Sequence, residues 1–589
     1  MVESVAAPLC SQERLKKWVP RILILTALIV PRLLAYSSAG GLWRDEVHSV
    51  NMATLPADDL FFVLTNDSIP ACWQSLLRSW IAVFGSTDAS VRVLGMLIGL
   101  ATIPAMWWSA RQFGVQFPWW MMVLMGLDPS LIVYGGEVRG YGLGIFAFLI
   151  LLGVSWRALQ KPTVWRWMAL IVTALFAVQS SFTNCFLLFA TFVACGVVAV
   201  RRGRFAVCIG FGLIGMLAAT SMVPYALFVF PRLSKVINIV HDPVPRSLPV
   251  KIFRQTYKWG GYTRGLLWAA IGLIGFTGLL QRLFFWPAKR PEQTREDQDL
   301  VTFLVPFFWV GTAGFWFYMY FLGVQTAPWY HLPWMTLLAV TTELSMGLWF
   351  RQQPRRDSLI FSLETPEQLI TKFTIGKPQQ EMLLMGLILF SSAAILYEVI
   401  PRVCYRLTTI DLIARDLSEV VGPDDLVVVT PWYVGISFGR YYDGPAAWTN
   451  LPNVDHIDHH LAYQEQKERV MPLPTADGIQ EELKKIEETL AKGGKVWWVG
   501  PLNLLPPGRE PLTLAGAPDP KYGWSEAAYL TSWQQTAIAR MQSMGVNVDA
   551  RTLKRPRMVN PCEDPPVFVV EPANFETAAT LVNPPRQLR

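Results

Sequence analysis

Residues 142–159 read GLGIFAFLILLGVSWRAL, an apolar run in which Arg157 is the only charged residue. A helix of about 20 mostly apolar residues spans the hydrocarbon core of a bilayer. Similar runs lie near residues 19–38, 90–110, 117–134, 165–182, 184–200, 205–231, 264–286, 301–323, 328–350 and 382–400. The pattern predicts a polytopic α-helical membrane protein with about eleven transmembrane helices.

The composition of the whole chain agrees with that prediction. Its 589 residues are 52% hydrophobic and only 16% charged, whereas soluble proteins carry about 25% charged residues. Residues 1–400 have a net charge of +11, and residues 401–589 have a net charge of −4. We therefore expect a membrane domain at 1–400, with long loops at 39–89 and 232–263, and a soluble domain at 401–589.

Basic residues indicate how the chain is oriented. With the N-terminus inside, nearly every inside connection is rich in Lys and Arg, as the positive-inside rule requires. An odd number of spans then places residues 401–589 outside. Loop 232–263 lies outside yet carries six basic residues. It either contacts a phosphate or escapes the rule because it is long.

The C-terminal domain alternates helical and strand patterns. The predicted helices are 409–421, 479–492 and 525–543, and the predicted strands are 426–430, 495–499 and 567–570. Such alternation favours a small α/β domain with a parallel sheet. No G-x-G-x-x-G or Walker motif opens any of these helices, so we expect no nucleotide site.

Two features of this domain leave alternatives open. Cys404 and Cys562 are its only cysteines, and they form either a disulfide or two buried thiols. Residues 456–460 read HIDHH. These four polar side chains either bind zinc or belong to a solvated loop.

The first loop begins with an acidic motif directly after the first span. It reads Trp43-Arg44-Asp45-Glu46-Val47-His48, which places two carboxylates at the membrane surface. Adjacent residues of a helix point about 100° apart, so the two acids would have different partners. The motif is either a functional site or a charged, solvated face.

The connection between the third and fourth spans carries a second group of polar residues. Glu137, Arg139 and Tyr141 lie at the hydrocarbon boundary, where ionisable side chains are paired or functional. The alternative is an interfacial anchor with a snorkelling arginine. If the two motifs converge, the planar fork of Arg139 suits a phosphate, and the site suits a phosphorylated, hydroxylated substrate.

These motifs together resemble the GT-C superfamily of integral membrane glycosyltransferases. The similar branch contains the bacterial lipid-linked-sugar enzymes akin to protein mannosyltransferases and to the aminoarabinose lipid A transferase. The resemblance covers about residues 20–350. Its segments, in the order of the family, are residues 43–46, 67–70, 76–85, 90–95, 128–134 with Glu137, Arg139 and Tyr141, and 326–333.

The chain departs from the family pattern at three places. Ser68-Ile69-Pro70 replaces the usual His-Pro-Pro, and Trp329 stands where an arginine usually precedes Tyr330. Thr183-Asn184-Cys185 replaces Thr-His-Tyr. These differences leave the sugar donor and the acceptor open.

The resemblance implies transfer of a sugar from a polyprenyl-phosphate donor to a glycan, lipid or protein acceptor. It further implies an inverting single displacement on the outer, periplasmic face of a bacterial inner membrane. Asp45 is the candidate base, and Glu46 would orient Asp45 or a substrate hydroxyl. The candidate substrate-binding residues are Arg44, His48, Glu137, Arg139, Tyr141, Tyr330 and His331.

Asp45 and Glu137 could instead hold a divalent cation, Mg²⁺ or Mn²⁺, through oxygen ligands. Branches of the family differ in this respect, so metal dependence stays open. We expect the bilayer, the lipid-linked donor and an envelope acceptor as partners, and no nucleic acid.

Two other classes of function fit a polytopic chain. A transporter or flippase would show two repeats with broken helices near the membrane midplane, and no such repeat is evident. A non-catalytic scaffold for envelope glycan assembly would tolerate alanine at Asp45, Glu46 and Arg139.

Overall fold

Helices dominate the structure, a computed structural model that describes residues 7–231, 262–284, 295–322, 328–351, 377–454, 457–458, 461–552, 558–560 and 563–573. In the membrane domain the helices are α1 Ala7–Ser38, α2 Arg44–Thr54, α3 Leu60–Asn66, α4 Ala71–Phe84, α5 Asp88–Gln112, α6 Trp119–Met121, α7 Pro129–Tyr134, α8 Tyr141–Gln160, α9 Val164–Ser180, α10 Asn184–Arg201, α11 Phe205–Thr220, α12 Tyr262–Phe284, α13 Arg295–Leu322, α14 Leu332–Arg351 and α15 Lys377–Val403. Every predicted span except 117–134 coincides with one of them. The helical prediction is therefore confirmed.

The described helices include seven that are long and apolar enough to cross a bilayer. Shorter apolar helices at Val164–Ser180 and Gly265–Thr277 accompany them. The chain is thus a multi-pass membrane protein. Its largest core surrounds α8, whose Phe148, Leu149 and Leu151 are completely buried.

The predicted span at 117–134 is not one continuous helix, because this segment is broken into short helical pieces. Helix α6 is followed by a π-helical turn, Met122–Gly126, and by α7. The side chain of Asp128 caps α7 by accepting from the Ser130 N–H at 2.8 Å, and Pro129 starts the new helix. A proline at this position cannot continue the preceding hydrogen-bond ladder. The break carries the chain into the loop that contains Glu137.

The first long connection is mostly helical. Its helices α2 and α4 pack through the buried side chains of Val47, Val50, Trp73 and Leu77. Because α4 also contacts α5 and α9, this packing holds α2 on the end of the helix bundle. Asp45 and its neighbours therefore lie on a helix.

The C-terminal domain is an α/β unit with a mixed sheet. Its helices are α16 Ile410–Val420, α17 Gly435–Tyr441, α18 Leu461–Glu465, α19 Gln480–Ala491 and α20 Glu526–Ser543. Its strands are β1 Leu426–Val429, β2 Ala447–Asn450, β3 Val496–Val499, β4 Val546–Arg551 and β5 Val567–Pro572, in the order β2-β1-β3-β5-β4.

Strand β1 pairs in parallel with β2 and β3, whereas β5 runs antiparallel to both β3 and β4. The α/β prediction is confirmed, but the prediction of a parallel sheet is wrong for half of it. Strands β2 and β4 were missed because neither is a buried apolar run: β2 reads AWTN, and most residues of β4 (VNVDAR) are polar or at least partly exposed. An edge strand of this kind lacks the buried apolar run that reveals central strands.

The C-terminal domain contacts the start of the membrane domain through a polar seam. The Leu42 N–H donates to the Tyr441 hydroxyl at 2.6 Å, and that hydroxyl donates to Asp88 at 2.7 Å. Arg440 Nη2 also donates to Asp88, at 2.9 Å. The seam joins α17 to the N-terminal ends of α2 and α5. The division of the chain near residue 400 stays a prediction, and α15 continues to Val403.

Candidate functional site

Glu46 fixes the N-terminal end of α2. Its carboxylate accepts from the Trp43 N–H at 3.3 Å, which is the backward hydrogen bond of a capping box. It also accepts from Arg92 Nη2 at 2.8 Å and from the Val138 N–H at 3.0 Å. Glu46 is fully buried, so it joins α2, α5 and the 135–140 loop in one network. Burial raises the pKa of Glu46, while Arg92 opposes that shift.

Asp45 points to a different set of partners from its neighbour, as the helix geometry predicts. Its carboxylate lies 3.6 Å from Arg44 Nε, and its side chain is 15% exposed. It interacts electrostatically with Arg139, Tyr141 and Tyr330. The first loop and the 135–140 loop therefore converge on one site.

Arg139 supplies a buried cation to this site. Its Nη1 donates to the Ser49 hydroxyl at 3.1 Å and to the Asp45 carbonyl oxygen at 3.5 Å. The guanidinium carbon lies 5.9 Å from the centre of the Tyr141 ring. Although burial opposes the charged form, nearby Tyr141 and Asp45 raise the pKa of Arg139, so it is a permanent cation.

Glu137 is buried, but neither of its carboxylate oxygens has a hydrogen-bond partner in the described chain. Burial, together with Glu46 and Asp45, raises its pKa well above the ordinary value. The loop that carries Glu137 lies directly on α5. A Cβ on Gly95 would collide with the Gly136 carbonyl oxygen, so this approach requires glycine.

Trp329 is the centre of an aromatic cluster beside Asp45. Its ring centroid lies 5.0 Å from that of Tyr134, 6.0 Å from Trp43 and 6.1 Å from Tyr141. Tyr330 follows it in the helical turn Pro328–His331. The residue at which the sequence departs from the GT-C pattern thus helps to build the wall of the site.

The two predicted histidines lie at the edge of this arrangement. His48 is buried on α2, one turn beyond Asp45 and on the same face of the helix. His331 is buried, and its ring lies 5.8 Å from that of Phe315. Their proposed contacts with substrate stay predictions.

Residues of the C-terminal domain complete the site, and no sequence motif indicated them. The Arg44 N–H donates to Glu563 Oε1 at 3.1 Å, and the Arg44 guanidinium lies 4.6 Å from the centre of the Tyr433 ring. The rings of Tyr433 and Tyr463 are nearly parallel, 6.4 Å apart. Burial raises the pKa of Glu563 to about 7, although Arg44 opposes the shift. These residues come from separate segments, which only the fold brings together.

Two cavities flank the 135–140 loop. The aromatic cavity has a volume of about 670 Å³ and is lined by residues that include Tyr141, Phe148, Asn184, Trp329 and Tyr330. The arginine cavity has a volume of about 450 Å³, and its lining includes Arg32, Arg92, Glu137 and Arg402. Each is large enough for part of a lipid or a sugar.

The residues of the site are a poor match for a divalent cation. Asp45 and Glu137 would supply two carboxylates, while Glu46 is already bound by Arg92. Over the part of the chain that the structure describes, no group of three or more His, Cys, Asp or Glu side chains could hold a metal ion. We derive no step through a metal, and the Asp45–Glu137 ligand pair stays a prediction.

Several predicted features lie outside the described residues. They are residues 232–261 of the basic loop, the three histidines of 456–460, and Cys562. Because Cys562 is among them, the choice between a Cys404–Cys562 disulfide and two buried thiols stays open.

The fold and the site define a multi-pass membrane protein with a buried charged and aromatic site beneath an α/β domain. Two crystal structures are similar to it, both of ArnT from Cupriavidus metallidurans. The apo structure is 12% identical and covers 97% of this chain and 100% of that chain, with a TM-score of 0.48. The structure bound to undecaprenyl phosphate is 12% identical and covers 95% and 99%, with a TM-score of 0.42.

No family model matches the chain, and no curated protein matches it. At 12% identity the likeness assigns no role to any residue. The roles proposed below depend on the geometry of this chain.

Proposed function

We propose that the protein is a membrane glycosyltransferase that moves a sugar from a polyprenyl-phosphate donor to a hydroxyl-bearing acceptor. One observation carries this proposal: a carboxylate, a buried guanidinium and two phenols meet beside an apolar cavity within the helix bundle. They are Asp45, Arg139, Tyr141 and Tyr330. The GT-C-like order of the motifs supports the same reaction class.

The aromatic cavity suits the donor lipid. Ile145, Phe148 and Leu187 form apolar lining deep within the bundle, whereas Tyr141 and Tyr330 supply hydroxyl groups to the same cavity. An isoprenoid chain would occupy the apolar part. Its phosphate would then lie near Arg139, whose planar fork binds phosphate oxygens.

The proposed reaction is a single displacement at the anomeric carbon. The acceptor oxygen attacks that carbon as its proton passes to the Asp45 carboxylate. The bond between the carbon and the phosphate oxygen breaks, and its electron pair leaves with the lipid phosphate. Arg139 stabilises the charge that grows on this phosphate. The configuration of the sugar is inverted.

The proposed acceptor would approach from the side of the C-terminal domain. Arg44, Tyr433 and Tyr463 form a polar and aromatic surface between that domain and Asp45. Stacked tyrosines can pack against the apolar face of a sugar ring. We place this site on the outer face of the cytoplasmic membrane, where lipid-linked donors replace nucleotide sugars.

The test measures sugar transfer and sugar release from a panel of polyprenyl-phosphate sugars, with purified full-length protein in detergent. Asp45→Asn keeps the shape of the side chain but removes the base, so we expect the rate to fall by about 10²–10⁴-fold. Asp58→Asn is the matched control, since Asp58 is an exposed acid in the same connection.

Loss of turnover in Asp45→Asn alone, with unchanged thermal unfolding, would support the proposal. Equal rates for wild type and Asp45→Asn would exclude Asp45 as the base. If the wild type released no sugar from any donor, with or without envelope extracts as acceptor, the glycosyltransferase proposal would be wrong.

A further inference from the structure

The arginine cavity lies on the other side of the 135–140 loop from the aromatic cavity. Its walls come from α1, α5, α7 and α15, together with Tyr405, Leu407 and Asn560 of the C-terminal region. Tyr141, Trp329 and Tyr330, which line the aromatic cavity, are not part of its lining. It is therefore a separate space, about 450 Å³ in volume.

Arg32 lies inside the membrane-spanning part of α1. It is six residues from the end of the helix at Ser38, which corresponds to about 9 Å along the helix axis. Its side chain is buried, and Nη1 donates to the carbonyl oxygens of Leu28 at 2.7 Å and Gly126 at 2.9 Å. Nε and Nη2 are buried without a hydrogen-bond partner in the described chain.

Arg402 contributes a second guanidinium group with an unpartnered hydrogen-bond donor. It lies in the last turn of α15 and lines the same cavity as Arg32. Its Nη1 is buried and has no hydrogen-bond partner among the residues that the structure describes. The third arginine, Arg92, is bound to Glu46, although its Nε is also unpartnered there.

These unpartnered guanidinium donors suit an anionic ligand. A buried polar group without a partner costs free energy, and such groups are rare in folded proteins. Charged side chains within a membrane span are costly as well, and they are generally functional. Two guanidiniums in one cavity repel each other unless an anion lies between them. Phosphate is the anion whose geometry matches the guanidinium fork.

We propose that the arginine cavity binds the phosphate headgroup of a membrane lipid, held by Arg32 and Arg402. The remaining lining supports a lipid, since Ala35, Met96 and Val133 give it apolar walls between spanning helices. This site is additional to the proposed donor site and does not depend on the glycosyltransferase proposal.

Glu137 also lines the cavity and does not contradict an anionic ligand. Its pKa is raised well above the ordinary value by burial and by Glu46 and Asp45. This shift favours the protonated carboxyl, which can donate a hydrogen bond to a phosphate oxygen.

The experiment measures lipid binding to delipidated full-length protein in detergent by native mass spectrometry and by thermal unfolding. The probes are phosphatidylglycerol, diacylglycerol with the same acyl chains, and inorganic phosphate. We expect wild type to bind phosphatidylglycerol. Arg402→Gln and Arg32→Gln should each weaken that binding by about tenfold, the loss of one charge-assisted contact.

Arg111→Gln is the matched control, because Arg111 is an exposed arginine at the end of α5 and lies outside the cavity lining. Arg32→Gln removes two bonds to backbone carbonyls and could impair folding. Arg402 is only partly buried in the last turn of α15, and its Nη1 has no hydrogen-bond partner in the described chain, so Arg402→Gln tests the site with a smaller risk to folding.

Three results would overturn the inference. Equal phosphatidylglycerol affinity for wild type, Arg402→Gln and Arg111→Gln would exclude a role for the cavity arginines. Equal binding of diacylglycerol would show that only the acyl chains matter. Stabilisation by inorganic phosphate that matches the lipid effect and disappears in Arg402→Gln would identify a free-anion site instead of a lipid site.

Discussion

Glu46 and Glu137 are two buried carboxylates near the same arginine, yet their surroundings differ. Glu46 accepts hydrogen bonds from Arg92 and from two backbone N–H groups. Glu137 has no hydrogen-bond partner in the part of the chain that is described, and it faces a cavity. A buried polar group with all its partners stabilises the fold, whereas one without partners indicates a site for a ligand. By this criterion Glu46 has a structural role, whereas Glu137 belongs to a ligand-binding cavity.

The largest expected effect comes from breaking the Glu46 network. Glu46→Gln leaves the Arg92 charge buried without its counterion, and we expect a loss of about 3–5 kcal/mol in the free energy of unfolding. Titration with dodecyl sulfate in mixed micelles, followed by tryptophan fluorescence, measures this loss. The double variant Glu46→Leu/Arg92→Leu should recover part of it, because no charge is then unpaired. Equal stability of wild type and Glu46→Gln would contradict the structural role.

The second prediction extends the comparison to a third buried carboxylate, Glu563 of the C-terminal domain, which contacts the Arg44 N–H and has a pKa of about 7. The folded protein binds this proton more tightly than the unfolded chain does. Stability from Glu563 is therefore complete below about pH 4.5 and decreases as the pH rises to about 7. The shift corresponds to on the order of 3 kcal/mol.

Thermal unfolding of wild type and Glu563→Gln between pH 4.5 and 8 measures this dependence. Glutamine resembles the protonated acid, so the variant should show a flatter pH profile, and the two proteins should differ most above pH 7. Parallel profiles would show that Glu563 does not titrate in this range.

The smallest expected effect is that of Glu137→Gln on stability. Since glutamine also resembles a protonated carboxyl, we expect the free energy of unfolding to change by less than about 1 kcal/mol. The same dodecyl sulfate titration gives a direct comparison with Glu46→Gln. A loss as large as that of Glu46→Gln would mean that Glu137 is a charged structural residue, and the distinction between the two carboxylates would be lost.

Much of the fold could be predicted because its signals are local. Long apolar runs predicted the spanning helices, and the buried apolar runs at β1 and β3 predicted the centre of the sheet. The prediction of one continuous helix failed at residues 117–134, where Asp128 and Pro129 end one helical segment and begin another within an apolar run. It also failed at β4, whose pairing with β5 depends on a distant segment.

In the candidate site, too, the local features could be predicted and the contacts between distant segments could not. The sequence placed Asp45, Glu137, Arg139 and Tyr141 near one membrane boundary. It predicted different partners for Asp45 and Glu46, but it did not show which of the two acids is held in a buried ion pair. That distinction depends on Arg92, which comes from α5 and reaches Glu46 across the bundle.

The sequence by itself determined a polytopic helical chain, a C-terminal α/β domain and the residue types that could carry the chemistry. Those properties follow from hydropathy and from patterns within a few residues. Only the tertiary structure decided which polar groups are satisfied. It placed Glu563 and Tyr433 against Arg44, and Arg32 and Arg402 in one cavity. The partners of a buried charge come from distant parts of the chain. The free-energy cost of burying that charge therefore depends on the packed fold and not on the local sequence.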